Sequence, residues 1–145
     1  MIKFRYWDGQ EKVMKPVDNM SFCDNGEILL HIDCEEWALG PDLILMQSTE
    51  FKDNNDTEIF EGDVINIHWF YADFDPVELG AFENEEYAER VIVKKEFGNF
   101  GFWWKEADSW VDLATLAMSS RLDEESFEIL GNIYETPELL SSGIE

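Results

Sequence analysis

Basic side chains are scarce in this chain of 145 residues: ten Lys and Arg stand against 33 Asp and Glu, a formal net charge of −23. Neither the stretch Pro16 to Phe51 nor that from Asp53 to Glu89 contains a Lys or Arg. Such a field repels phosphate backbones, and counterion release cannot drive nucleic-acid binding, so DNA and RNA are excluded as partners. Anionic membrane surfaces are disfavoured for the same reason. An acidic, well-solvated surface is the ordinary reading of this charge; a basic partner or a cation is the functional one. Cysteine is nearly absent too. Cys23 and Cys34 form no CxxC and no Cys/His quartet, so no zinc site is read. They are expected as reduced thiols, with a Cys23–Cys34 bridge as the alternative. No apolar run approaches the roughly 20 residues that span a bilayer, and the opening MIKFRYWDG lacks the apolar core of a signal peptide.

Catalytic and metal-ligating sets are missing as well. Asp53, Asp56, Glu58, Glu61 and Asp63 crowd one turn, yet Glu58 and Val64 fall where a calcium loop requires Gly and a bidentate Glu. That turn therefore reads as solvated acid rather than as a cation site. His31 and His68 are the only histidines; His68 lies within VINIHWFY and is expected to face solvent from a strand. No Ser-His-Asp or Cys-His arrangement can be argued. The expectation is a protein that is not an enzyme and takes no cofactor or metal.

Aromatic side chains are plentiful: eleven Phe, six Trp and four Tyr. Each buries roughly 150–250 Å², enough together for a substantial core, and disordered chains lack such residues. Alternation over residues 2–7, the Asp8-Gly9 turn and Lys12 to Met14 predict a hairpin. Weaker strands are expected at 20–23 and 26–32, and a buried strand at 42–47. VINIHWFY, residues 64–71, is the strongest strand. Residues 73–89 carry Pro76, Gly80 and many acids, and read as a solvated insertion with one helical turn near Glu85 to Tyr87. Strands at 90–96 and 102–105 flank the turn FGNFG, and residues 127–134 form the final strand. Ser109 to Met118 is the best helix candidate, capped by Ser109 or Asp108, with a loop as the alternative. Short strands at regular spacing predict a small antiparallel barrel, mainly β, with at most one short helix.

Three blocks resemble the YopX family of phage and prophage proteins: IKFRYWDG at 2–9, LMQSTEFKDNNDTEIFEGDVI at 45–65, and ILGNIYETPELL at 129–140. The family's central block runs close to "tGlkDknGkeIyeGDiv" and its close is near "viGNIyenPeLl". This chain departs at Asn55-Asp56, where the family has Asn-Gly, and at Glu50, where it has Gly. The resemblance implies an SH3-like barrel over 45–140 with an N-terminal β extension over 1–44. It also implies a phage or prophage protein working in the bacterial host cytoplasm, and it implies no activity. The last residues, 141–145, are expected to fray.

Independently of the family, Ile59, Phe60, Gly62, Asp63 and Gly131 read as fold-determining, and the resemblance adds Asp53, Glu61, Asn132 and Pro137 to that set. Gly62 allows a sharp bend, Asp63 accepts turn amides, and Ile59 and Phe60 face opposite ways. Gly131 marks a bulge or a close backbone approach. Trp103-Trp104 must place one ring inward and one outward, so Trp69, Trp103 and Trp104 are interface candidates. The leading expectation is a protein-interaction module that forms homo-oligomers or binds a host or phage protein with a basic surface. The alternative is an acidic decoy that imitates nucleic acid and occupies a basic host DNA-binding protein.

Overall fold

Period-two alternation becomes hydrogen-bonded ladder from the start of the computed structural model, which describes residues 3–32, 35–40, 43–77 and 80–141. Strand β1 (Phe4–Asp8) pairs antiparallel with β2 (Val13–Val17). Asp8 closes their turn, its Oδ1 accepting the amides of Gln10 and Glu11 at 2.9 and 3.1 Å. Next come β3 (Asn19–Phe22), β4 (Ile28–Ile32) and β5 (Glu35–Ala38), a three-stranded meander. Buried Tyr6, Leu30 and Ile32 give this extension its own small core. Strand β5 had no signal in the sequence, for its four residues are all exposed.

The long strand β6 (Leu43–Lys52) joins the extension to the body, pairing with β1 through its first half and with β7 (Glu58–Phe60) through its second. The body continues with β8 (Asp63–Asp75), β9 (Gly80–Ile92), β10 (Lys94–Glu96), β11 (Asn99–Trp104) and β12 (Ser109–Asp112). Helix α1 (Leu113–Ser119), a 3₁₀ turn at Glu124–Ser126, β13 (Phe127–Asn132) and the one-turn α2 (Glu138–Ser141) complete it. Along β8, Ile65, Ile67, Trp69 and Tyr71 share one face, as the pleat demands. That face joins Ile59, Val93, Phe102, Leu113 and Phe127 in the main core.

Strand order is β2-β1-β6-β7, β13-β8-β9, β10-β11-β12 and β3-β4-β5. All pairings among the described residues are antiparallel, and α1 is the one helix longer than a single turn. The mainly β, antiparallel expectation therefore holds, but these ladders form four curled sheets rather than one closed ring. Register shifts supply curl by adding residues to one strand of a pair. One interrupts β13 between Ile129 and Gly131, one lies on β9 opposite Ile65–Ile67, where Arg90 takes φ 52°, and one lies on β6 between Ser48 and Lys52, where Glu50 takes φ 68°. Asn66 Oδ1 accepts the Arg90 amide at 3.0 Å.

Two expectations are corrected. Residues 73–89 are no solvated insertion with a helical turn: their described part belongs to the β8–β9 hairpin, whose register runs in step from Ile67↔Ala88 to Asp75↔Gly80. Acidic side chains on both faces of a two-stranded ribbon hide its alternation. The helix begins later than expected, since residues 109–112 are strand. Its cap is Asp112, whose carboxylate accepts the amides of Ala114 and Thr115. Cys23 is a free thiol; Cys34, Ile2, Asp42 and residues 142–145 lie outside the described residues.

Candidate protein-interaction face

The fold-determining residues converge at one junction. Gly62 takes φ 87°, and both its backbone groups are used: its amide donates to Val93 O at 2.8 Å and its carbonyl accepts from Ile133 at 3.0 Å. Beside it, Asp63 is buried and holds two partners. Its Oδ2 accepts the Phe60 amide and its Oδ1 accepts Arg5 Nη2, both at 2.8 Å. Arg5 also donates to Glu61 O and lies over the Phe60 ring, 4.8 Å from its centroid. Burial pushes the Asp63 carboxyl up, against the opposing pull of Arg5 and the Phe60 amide. Glu61 ties the turn to β6, its Oε1 accepting the Gln47 amide at 2.9 Å. Ile59 is fully buried and Phe60 only partly, so the two do face opposite ways.

Asp53, also buried, folds the preceding turn: its Oδ1 accepts the amides of Asn55 and Thr57, each at 2.9 Å. Asp56 stands there at φ 63°, the left-handed position that a short polar side chain tolerates. Asn132 Oδ1 accepts the amides of Tyr134 and Glu135. A Cβ on Gly131 would overlap Thr136 Oγ1, so this glycine marks a close approach as well as adjoining the bulge. Pro137 sits directly before α2, where its missing amide costs nothing. The Trp7 ring stacks on Tyr134 at 5.7 Å. Thus all three signature blocks meet around Gly62, as a structural junction occupied with its own backbone.

The interface candidates separate. Trp69 is buried at 5% exposure and meets Trp104 edge to face at 5.1 Å. Trp104 packs against the main core. Trp69 offers no surface on the single chain and Trp104 is partly buried, because β8 turns Trp69 inward and β11 turns Trp104 inward. Trp103 points the other way and is 50% exposed, as its position beside an inward Trp104 requires. His68 is half-buried rather than solvated, its ring lying between Phe70 and Tyr87 at 5.5 and 5.6 Å.

Trp103 has company that sequence reasoning missed. Trp110 stands directly opposite it across the β11–β12 ladder. Gly101 lets the Trp110 indole lie on the sheet, since a Cβ there would come within 2.8 Å of that ring and overlap the Val111 carbonyl. Lys94, Glu96, Phe97, Trp103 and Trp110 line a cavity of about 350 Å³ on this outer face. Phe97 and Gly98 make the β10–β11 turn with φ 53° and 82°, the signs of a type I′ hairpin, whose first position favours Asn, Asp or Gly. Phe97 occupies it with its ring 96% exposed. A bulky side chain in the left-handed region is an outlier. The sequence signal was available: FGNFG puts Phe where hairpin chemistry asks for a small polar residue.

The family model described as YopX protein matches residues 3–141. Among solved structures the chain is similar to the crystal structure of protein EF1440 from Enterococcus faecalis, with 25% identity and a TM-score of 0.54. The match covers 97% of this chain and 98% of that one. No curated protein matches it. Among the described residues no helix is long and apolar enough to cross a membrane.

Proposed function

The chain belongs to the YopX family, and from that premise we propose that it is a non-enzymatic protein-interaction module of phage or prophage origin, acting in the bacterial cytoplasm and self-associating through the Phe97–Trp103–Trp110 face. We read residues 45–140 as the SH3-like unit; its support is the 3₁₀ turn ahead of β13 and the return of β13 to the first long strand of the body, β8.

Phe97 carries the interaction reading. In the isolated chain it is unfavourable twice, by its backbone conformation and by its exposed ring, and such a residue persists where another gain offsets it. Aromatic side chains are the usual anchors of protein interfaces, and an exposed cluster of them on a monomer marks one. Phe97→Asn is therefore diagnostic. It should raise the melting temperature by relieving the turn, while lowering self-association measured by sedimentation at tens of micromolar. Association should strengthen between low and moderate salt, because subunits of −23 repel one another until screened over roughly 10 Å at 0.1 M. A wild-type monomer at both salts sinks the self-associating reading. If that monomer instead captured a basic protein at low salt only, the decoy reading would replace it.

A further inference from the structure

The β8–β9 hairpin runs past the body. From Ala72 to Asn84 every described side chain is exposed, including Phe74 at 57% and Phe82 at 47%. Two strands alone are marginal in water, yet this arm holds regular register up to Asp75↔Gly80. Arg121 pins its base: it exchanges backbone hydrogen bonds with Phe70, lies over that ring at 4.2 Å, and pairs with Glu83 at 2.9 Å. Among its described residues the arm carries the acids Asp73, Asp75 and Glu83 and no basic residue. Residues 90–105, by contrast, hold Arg90, Lys94, Lys95 and Lys105 against the single acid Glu96. Lys94 stands beside Trp103 and Trp110.

We propose that the arm of one copy docks, head to tail, on the Phe97–Trp103–Trp110 face of a second copy. This rests on the self-association reading above and names the two surfaces. The chemistry matches in both kinds. On the arm, Phe82 is cross-strand partner to Asp73, so ring and carboxylate share one side; on the face, the indoles share a side with the Lys94 ammonium. The arm's side chains enter the aromatic cavity, and its Asp73 carboxylate meets the Lys94 ammonium at the edge of the exposed rings. The interface is heterologous, using different patches on the two copies, so it closes a ring or extends a chain.

A mixing experiment tests it. The arm variant Phe74→Thr/Phe82→Thr and the face variant Trp103→Thr should each sediment as monomers when alone. Mixed at equal concentration, they should form a 1:1 heterodimer and stop, since one intact arm and one intact face remain. Continued assembly of the arm variant alone overturns the proposal in favour of a face-to-face contact. Continued assembly of the face variant alone overturns it in favour of an arm-to-arm contact. A mixture that stays monomeric overturns it outright. A wild-type chain that is itself monomeric refutes the self-association reading instead. Should Trp103→Thr fail to fold, Lys94→Glu replaces it on an exposed side chain. Lys94→Glu should weaken association about tenfold, as loss of an interfacial charge pair does. Adding Asp73→Lys should restore it, and failure of that swap counts against the proposal.

Discussion

At the scale of single residues, backbone angle explains more than contact. At Gly62 an added Cβ would lie 3.2 Å from Met46 Sδ, the yielding end of a flexible side chain. The obstacle to substitution is φ 87° with both backbone groups hydrogen-bonded, so the chain cannot relax. Gly62→Val should cost about 1–3 kcal/mol or more, measured by denaturant unfolding; a melting temperature within two degrees of the parent would refute this. Glu50 is the converse case, exposed at φ 68° where the family carries Gly. Its backbone amide donates to Ser48 Oγ at 2.9 Å, while its side chain is exposed. Glu50→Gly should therefore stabilise by about 1 kcal/mol through relief of left-handed strain, and a lower midpoint would show that the carboxylate has a role.

Elements here are set by their ends. Helix α1 has seven residues, no acidic residue in its first turn and no basic one in its last, so the Asp112 cap carries much of its local stabilisation. Asp112→Ala should cost about 1 kcal/mol, read as a lowered unfolding midpoint with unchanged strand content. The cap also converts strand β12 directly into helix, because the capping residue keeps an extended backbone, φ −95° and ψ 124°. The β10–β11 hairpin shows the opposite priority. Its turn keeps Phe97 against local preference, and its sheet keeps Gly101 so that Trp110 can lie flat on it. Gly101 also spares the ladder itself, since a Cβ there would overlap the Val111 carbonyl of the paired strand.

For the whole molecule, charge sets solution behaviour. With −23 overall, no DNA or RNA should bind at about 0.15 M salt, and a micromolar shift of any strand in a gel assay would contradict this. The same charge works against compactness, and Asp63 adds to it. Because burial raises its carboxyl above the ordinary value, the unfolded chain releases that proton at a lower pH than the folded one. Above the ordinary carboxylate value, stability therefore falls as pH rises through the folded-state titration. The melting temperature should rise as the pH is lowered from neutrality toward the ordinary carboxylate range, checked by calorimetry at fixed salt; a fall would mean that other carboxylates gain partners on folding and dominate. Much of the fold was legible before any tertiary contact was known. Ile59, Gly62, Asp63 and Gly131 announce themselves because turn geometry depends on neighbours in the chain, and VINIHWFY because alternation is a local signal. The placement of Trp69 inside and Trp103 outside, the pairing of Trp110 across from Trp103, and the ribbon at 73–89 were decided only by tertiary structure. Which face of a strand meets a core depends on where distant elements such as β13 and α1 come to rest, and strand spacing alone carries no record of that.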